Sequence, residues 1–94
     1  ANEFTLKQNY PNPFNPTTTI AYSIPENSKV KLTIYNLTGR RITDLVQSQI
    51  SAGIYSVNWD GTNDTGHPVS SGLYLYTIET DNFRAMKKMI YMIS

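Results

Sequence analysis

The side chains able to break or make bonds are few in this chain of 94 residues. The one histidine, His67, stands between Gly66 and Pro68, with no cysteine or second histidine to share a metal or relay a proton. Ser70 and Ser71 fall in "SSG", which follows no strand-to-helix elbow and has no base close in sequence, so a serine nucleophile is not supported. The run "DGTNDTG" collects Asp60, Asn63 and Asp64, which are oxygen ligands of the kind that hold calcium. It lacks the longer array and closing bidentate glutamate of an EF-hand loop, and the same residue types build turns through Asx hydrogen bonds and positive φ. Asp60, Gly61 and Gly66 therefore read first as structural turn residues, with calcium at Asp60, Asn63 and Asp64 as the weaker alternative. No catalytic residue and no resident cofactor is expected.

The charge balance excludes further classes. Eight lysines and arginines against seven acidic residues leave a net charge of +1, too small a field to steer nucleic acid or an anionic surface. Zero cysteines exclude a disulfide framework and thiolate metal sites but do not assign a compartment. No apolar run approaches the roughly 18–20 residues of a membrane-spanning helix. Ala1 opens no basic region followed by an apolar one, and the missing initiator methionine predicts a module of a longer protein. Asn36-Leu37-Thr38 and Asn63-Asp64-Thr65 match the glycosylation sequon, a pattern short enough to arise by chance.

The elements that must position these residues read as all β. "TTTIAYSI" alternates Ile20, Tyr22 and Ile24 against Thr19, Ala21 and Ser23, the period of a strand with one buried face. "SKVKLTIYN" sets Val30, Leu32 and Ile34 against Lys29, Lys31 and Thr33, as in an antiparallel sheet with a wet outer face. "NLTGR" then supplies a hairpin turn into "RITDLVQ", with Gly39 the glycine expected to tolerate alanine least. "SAGIYSVNWD" places Tyr55, Val57 and Trp59 on one face, and "DGTNDTGHPVSSG" is a long turn region. "LYLYTIET" is apolar or aromatic on both faces, Leu73 and Leu75 opposing Tyr74, Tyr76 and Ile78, and reads as a central strand covered on each side. "FRAMKKMIYMI" is a terminal strand whose Lys87 and Lys88 protect an edge. About seven strands, with turns at roughly 8–12-residue spacing, predict an immunoglobulin-like sandwich of two antiparallel sheets without a disulfide. Trp59, the tyrosines and the phenylalanines fill or rim its core.

Read in order, "NYPNPFNPTTTIAYSIP", "VKLTIYNLTGRRI", "GIYSVNWDGTNDTGHPVSSGLYLYTI" and "KKMIYMI" resemble the type A C-terminal sorting domain of the type IX secretion system of the Bacteroidetes and their relatives. The resemblance runs from about Phe4 to Ser94, with residues 1–94 as a single C-terminal domain and 1–9 as linker and first strand. It implies an immunoglobulin-like, non-catalytic secretion signal that an outer-membrane translocon recognises. A surface sortase commonly removes it from its N-terminal cargo domain. The implied localisation is the periplasm in transit, then the cell surface or the medium. The recognition features it assigns are Pro11, Asn12, Pro13, Gly53, Tyr55, Gly72, Tyr74, Lys87 and Lys88. The chain also resembles the immunoglobulin-like domain of flagellar hook-capping proteins. That likeness implies a structural or accessory module, in one form carbohydrate-binding, of a multidomain extracellular enzyme or a hook-capping-like protein.

The residues themselves suggest physical roles. Prolines between Pro11 and Pro16 cannot donate ladder hydrogen bonds and favour extended backbone, so the segment should cross between sheets or cap an edge as a stiff strap. Gly53 and Gly72 let the chain turn tightly before an aromatic is laid on the sheet. The terminal strand, with two cations, is the segment most suited to strand addition by a partner. If the Asp60–Gly66 run is a turn and no more, millimolar calcium leaves the thermal melting midpoint unchanged; a rise would establish the ion site.

Overall fold

A computed structural model describes residues 2–14 and 16–93; Asn15 of the proline-rich stretch and Ser94, where the resemblance ends, lie outside it. The alternating segments become β1 (Thr5–Leu6), β2 (Thr18–Ile24), β3 (Ser28–Asn36), β4 (Arg41–Ile50), β5 (Gly53–Trp59), β6 (Gly72–Glu79) and β7 (Arg84–Tyr91). They form two antiparallel sheets, one ordered β1-β2-β5 and the other β4-β3-β6-β7. The expected all-β sandwich of seven strands is the observed architecture. "LYLYTIET" is central within its sheet, between β3 and β7, but only its Tyr74, Tyr76 and Ile78 face is buried; Leu73 and Leu75 face outward and are half-buried, since no second layer covers that side.

The period-two pattern decides which side chains meet between the sheets. Ile20, Tyr22 and Ile24 of β2 face Val30, Leu32 and Ile34 of β3 and Tyr74, Tyr76 and Ile78 of β6 within one buried cluster. A fully buried aliphatic side chain contributes about 1.5–3 kcal/mol, so this cluster is the principal stabilising term. Most aromatics fill or rim it, but Tyr10 does not: it projects from the strap and is 80% exposed.

The outer face of β3 departs from the expected wet surface at Thr33, which is buried and donates to Asp44 Oδ1 at 2.7 Å. The cause is topological. β3 is flanked on both sides, and a register shift between Leu32 and Thr33 sets Asp44 of β4 opposite the threonine.

One polar contact ties the two sheets through the core. The hydroxyl of fully buried Tyr76 in β6 donates to the Lys7 carbonyl at 2.7 Å and accepts the Asn9 backbone N–H at 2.8 Å. Asn9, itself buried, passes the connection on, its Nδ2 donating to Thr18 Oγ1 and to the Pro11 carbonyl. Thr18 Oγ1 also donates to the Pro11 carbonyl, at 2.8 Å. The start of the strap is thus fastened to both sheets before the prolines begin.

Burial pushes the Tyr76 phenol up to about 12, an effect the Asn9 N–H opposes in part by favouring the anion. Because the folded value lies above the ordinary tyrosine value, the unfolded chain loses this proton first. The contribution is complete below about pH 10 and declines as pH rises toward 12. Tyr76→Phe leaves the Lys7 carbonyl and the Asn9 N–H without this partner. Urea denaturation at neutral pH should show a loss of about 1–3 kcal/mol, and the variant should show a shallower stability decline above pH 10 than the parent.

Candidate functional site

The strap does what its prolines suggest. Tyr10 exchanges backbone hydrogen bonds with Thr19 of β2, and four residues on, Phe14 donates to Ile90 O and accepts from Met92 N. Between them Asn12 Oδ1 accepts the Ile90 N–H at 2.8 Å, while Gln8 Nε2 donates to Lys88 O. The segment crosses from one sheet to the other and covers the open edge of β7 from Lys88 to Met92. Strand addition over that stretch is already supplied from within the chain, which corrects the expectation of an edge free for a partner.

Beneath the strap an aromatic cluster joins distant parts of the sequence. Phe14 stacks on Tyr91 of β7 with ring centroids 4.9 Å apart and meets Trp59 at 5.5 Å. Trp59 meets Tyr74 of β6 edge-on at 5.4 Å, and its indole Nε1 donates to Thr62 O at 2.8 Å. Gly61 closes the cluster: its φ is +78°, and a Cβ there would lie 2.7 Å from the Tyr91 ring. Gly39 also has positive φ, at +86°, but faces open space. The glycine least able to accept a side chain is therefore Gly61, because its constraint comes from packing against a strand 30 residues away in sequence, whereas that of Gly39 is local.

Two local devices are each used twice. In Asn36-Leu37-Thr38-Gly39-Arg40 the Asn36 Oδ1 accepts Thr38 N, Thr38 Oγ1 and Arg40 N; in Asn63-Asp64-Thr65-Gly66-His67 the Asn63 Oδ1 accepts Thr65 N, Thr65 Oγ1 and His67 N. Both sequons are thus Asx-stabilised turns, with Gly39 and Gly66 at positive φ. The second device is a tyrosine corner: Tyr55 donates to Ser51 O at 2.7 Å, and Tyr74 donates to Ser70 O at 2.6 Å. The repeated strings Asn-x-Thr-Gly and Ser-x-Gly-x-Tyr are visible in the sequence, and the backbone bonding that each pair shares emerges only in the fold.

The turn reading of the acidic run is supported atom by atom. Asp60 Oδ1 accepts Thr62 Oγ1, Asn63 Oδ1 is engaged as above, and Asp64 is bound by Arg41. Hydrogen bonding from Arg41 holds the Asp64 carboxyl below the usual carboxylate range. Among the described residues, no three His, Cys, Asp or Glu side chains converge as a metal set. His67 is exposed, with Nδ1 2.7 Å from Thr65 Oγ1. The two Asx turns flank an open groove of about 460 Å³ lined by Asn36, Arg40, Arg41, Asn63 and Asp64.

Of the sequence-assigned residues, Pro11, Asn12, Pro13, Gly72 and Tyr74 gather at the Trp59 pole, together with the turn residues Gly39, Asp60, Gly61 and Gly66. Gly53 and Tyr55 lie toward the other end of β5, where they pair with Ile24 and Tyr22. Lys87 and Lys88 lie midway along β7, opposite Tyr76 and Leu75.

Two antiparallel sheets of three and four strands packed about one core make this chain an immunoglobulin-like module. The chain belongs to the FlgD Ig-like domain family, which matches residues 12–83 and so ends before β7. Among solved structures it is similar to a part of dimeric latent PorU from Porphyromonas gingivalis, with a TM-score of 0.71 and 22% identity. The alignment covers 97% of this chain and 9% of PorU, a likeness of fold. No curated protein matches the chain. Gly61→Ala should lower the stability measured by chemical denaturation by at least about 2 kcal/mol, combining positive-φ strain with overpacking. Gly39→Ala should cost only the conformational part, about 1 kcal/mol.

Proposed function

We propose that this domain is a non-catalytic sorting signal that directs a larger cargo protein through the type IX secretion system. The supporting observation is the convergence of its motifs. The proline strap, Trp59-Asp60-Gly61 and Gly72-Leu73-Tyr74 all pack on or bond to the terminal strand, through Tyr91, Ile90 and their neighbours. Residues otherwise scattered over the chain share one physical task, holding β7 in place. Its partners in this reading are an outer-membrane translocon, a surface sortase and the N-terminal cargo domain. The cargo passes through the periplasm and ends secreted or at the cell surface.

A second reading, an accessory immunoglobulin-like module of a larger extracellular or hook-capping-like protein, is favoured by the family match over residues 12–83. Its carbohydrate-binding form would draw on Tyr10, the aromatic most exposed on the strap. Residues 1–94 fused behind a periplasmic reporter, in a host that carries the secretion system, should bring the reporter to the surface or the medium. Retention in the periplasm, together with retardation of the domain in glycan-containing gels that Tyr10→Ala abolishes, would replace the sorting reading with the accessory one.

A further inference from the structure

The two lysines of the terminal strand are adjacent in sequence but belong to different faces. Lys87 shares the inward face of β7 with Ala85, Met89 and Tyr91, and is half-buried opposite Tyr76. Lys88 is exposed and shares the outward face with Met86 and Ile90. Across the ladder it lies opposite Leu75, which in turn lies opposite Tyr35 of β3, and Ile90 lies opposite Leu73. Met86 and Ile90 expose 60% and 40% of their surface, and Met92 just beyond them 56%.

Lys88 is therefore a cation set among Leu75, Met86 and Ile90, on a face that also carries Thr77, Glu79 and Arg84. Several other charges of this sheet have partners, although exposed Lys29 of β3 lies opposite Gln49. Glu79 lies opposite both Lys31 and Arg84 and pairs with Arg84 at 3.8 Å, while Arg41 is held by Asp44 and Asp64. Lys88 faces a leucine instead. The strap occupies the edge of β7 from Lys88 to Met92, so a partner that reads this lysine meets it through the face of the sheet.

We propose that the outer face of β6 and β7 docks an apolar segment of a protein partner that carries a carboxylate. The carboxylate pairs with Lys88 while apolar side chains cover Leu75, Met86 and Ile90. An ammonium–carboxylate pair contributes little in open water and much more once apolar neighbours exclude water around it. Lys87 serves the fold, its stem covering the rim of the core beside Tyr76. This inference rests on the sorting reading and names the surface that carries it.

The test uses the reporter fusion with Lys87→Met and Lys88→Met, each of which keeps an unbranched stem and removes one charge, together with Lys88→Arg and Met86→Ser. Lys88→Met and Met86→Ser should each lower export by about tenfold or more at an unchanged melting temperature. Lys88→Arg should retain most export, and Lys87→Met should behave as the parent. Parent-like export of Lys88→Met, or equal losses from Lys87→Met and Lys88→Met, would overturn the docking face while the sorting reading stands. A parent fusion retained in the periplasm defeats the sorting reading itself and this surface with it. Two further results would also overturn the proposal, by assigning the face to another occupant. One is dimerisation of the purified domain that Met86→Ser abolishes. The other is binding to phosphatidylglycerol vesicles that Lys88→Met abolishes.

Discussion

The buried hydroxyl of Tyr76 is the contact on which the rest of this sandwich depends. It stands in the centre of the four-stranded sheet and reaches the backbone of Lys7 and Asn9, which no β ladder of that sheet could satisfy. A phenylalanine would fill the same volume but leave two main-chain groups to be buried without it. Through Asn9 the contact continues to Thr18 and Pro11, so the entry of the strap is set by a chain of polar groups inside an apolar core. Such a network rigidifies when every member is paired, and no buried side-chain nitrogen or oxygen among the described residues lacks a partner.

Around this tie the chain reuses short local solutions. The Asx turns after β3 and before β6 place a threonine, a glycine and an asparagine in the same arrangement, and the tyrosine corners brace the starts of β5 and β6. Each solution is self-contained, so the loops at the Trp59 pole are braced by their own side chains and need no disulfide. On the outward β6–β7 face Leu73, Leu75, Met86 and Ile90 share the surface with Thr77, Glu79, Arg84 and Lys88.

Much of this was legible in the sequence because it is local. Period-two alternation located β2, β3 and β5, the continuous apolar run "LYLYTIET" located β6, the glycine in "NLTGR" marked the β3–β4 hairpin, and the proline spacing marked the strap. What escaped depends on pairing across long sequence separations. The burial of Thr33 follows from a register shift against β4, the stringency of Gly61 from Tyr91, and the difference between Lys87 and Lys88 from where the inward face of β7 falls. The covering of the β7 edge was hidden for the same reason, since its partners Gln8 and Asn12 lie about 80 positions earlier. The repeated turn and corner strings were readable, and their meaning becomes plain once each asparagine and tyrosine is paired with its backbone partner.

The strap has a kinetic consequence. It bonds to Ile90 and Met92, so a segment near the start of the chain has nothing to close upon until the last strand has been made and seated. Contacts of such long sequence separation form late and slowly, after the loop-closure entropy between them has been overcome. A chain still emerging from the ribosome can assemble the β2–β5 and β3–β4 pairs, yet its edge stays unsealed and its aromatic pole open. Closure of the strap therefore acts as a molecular receipt: it can be written only after the last strand of the domain has been made and seated.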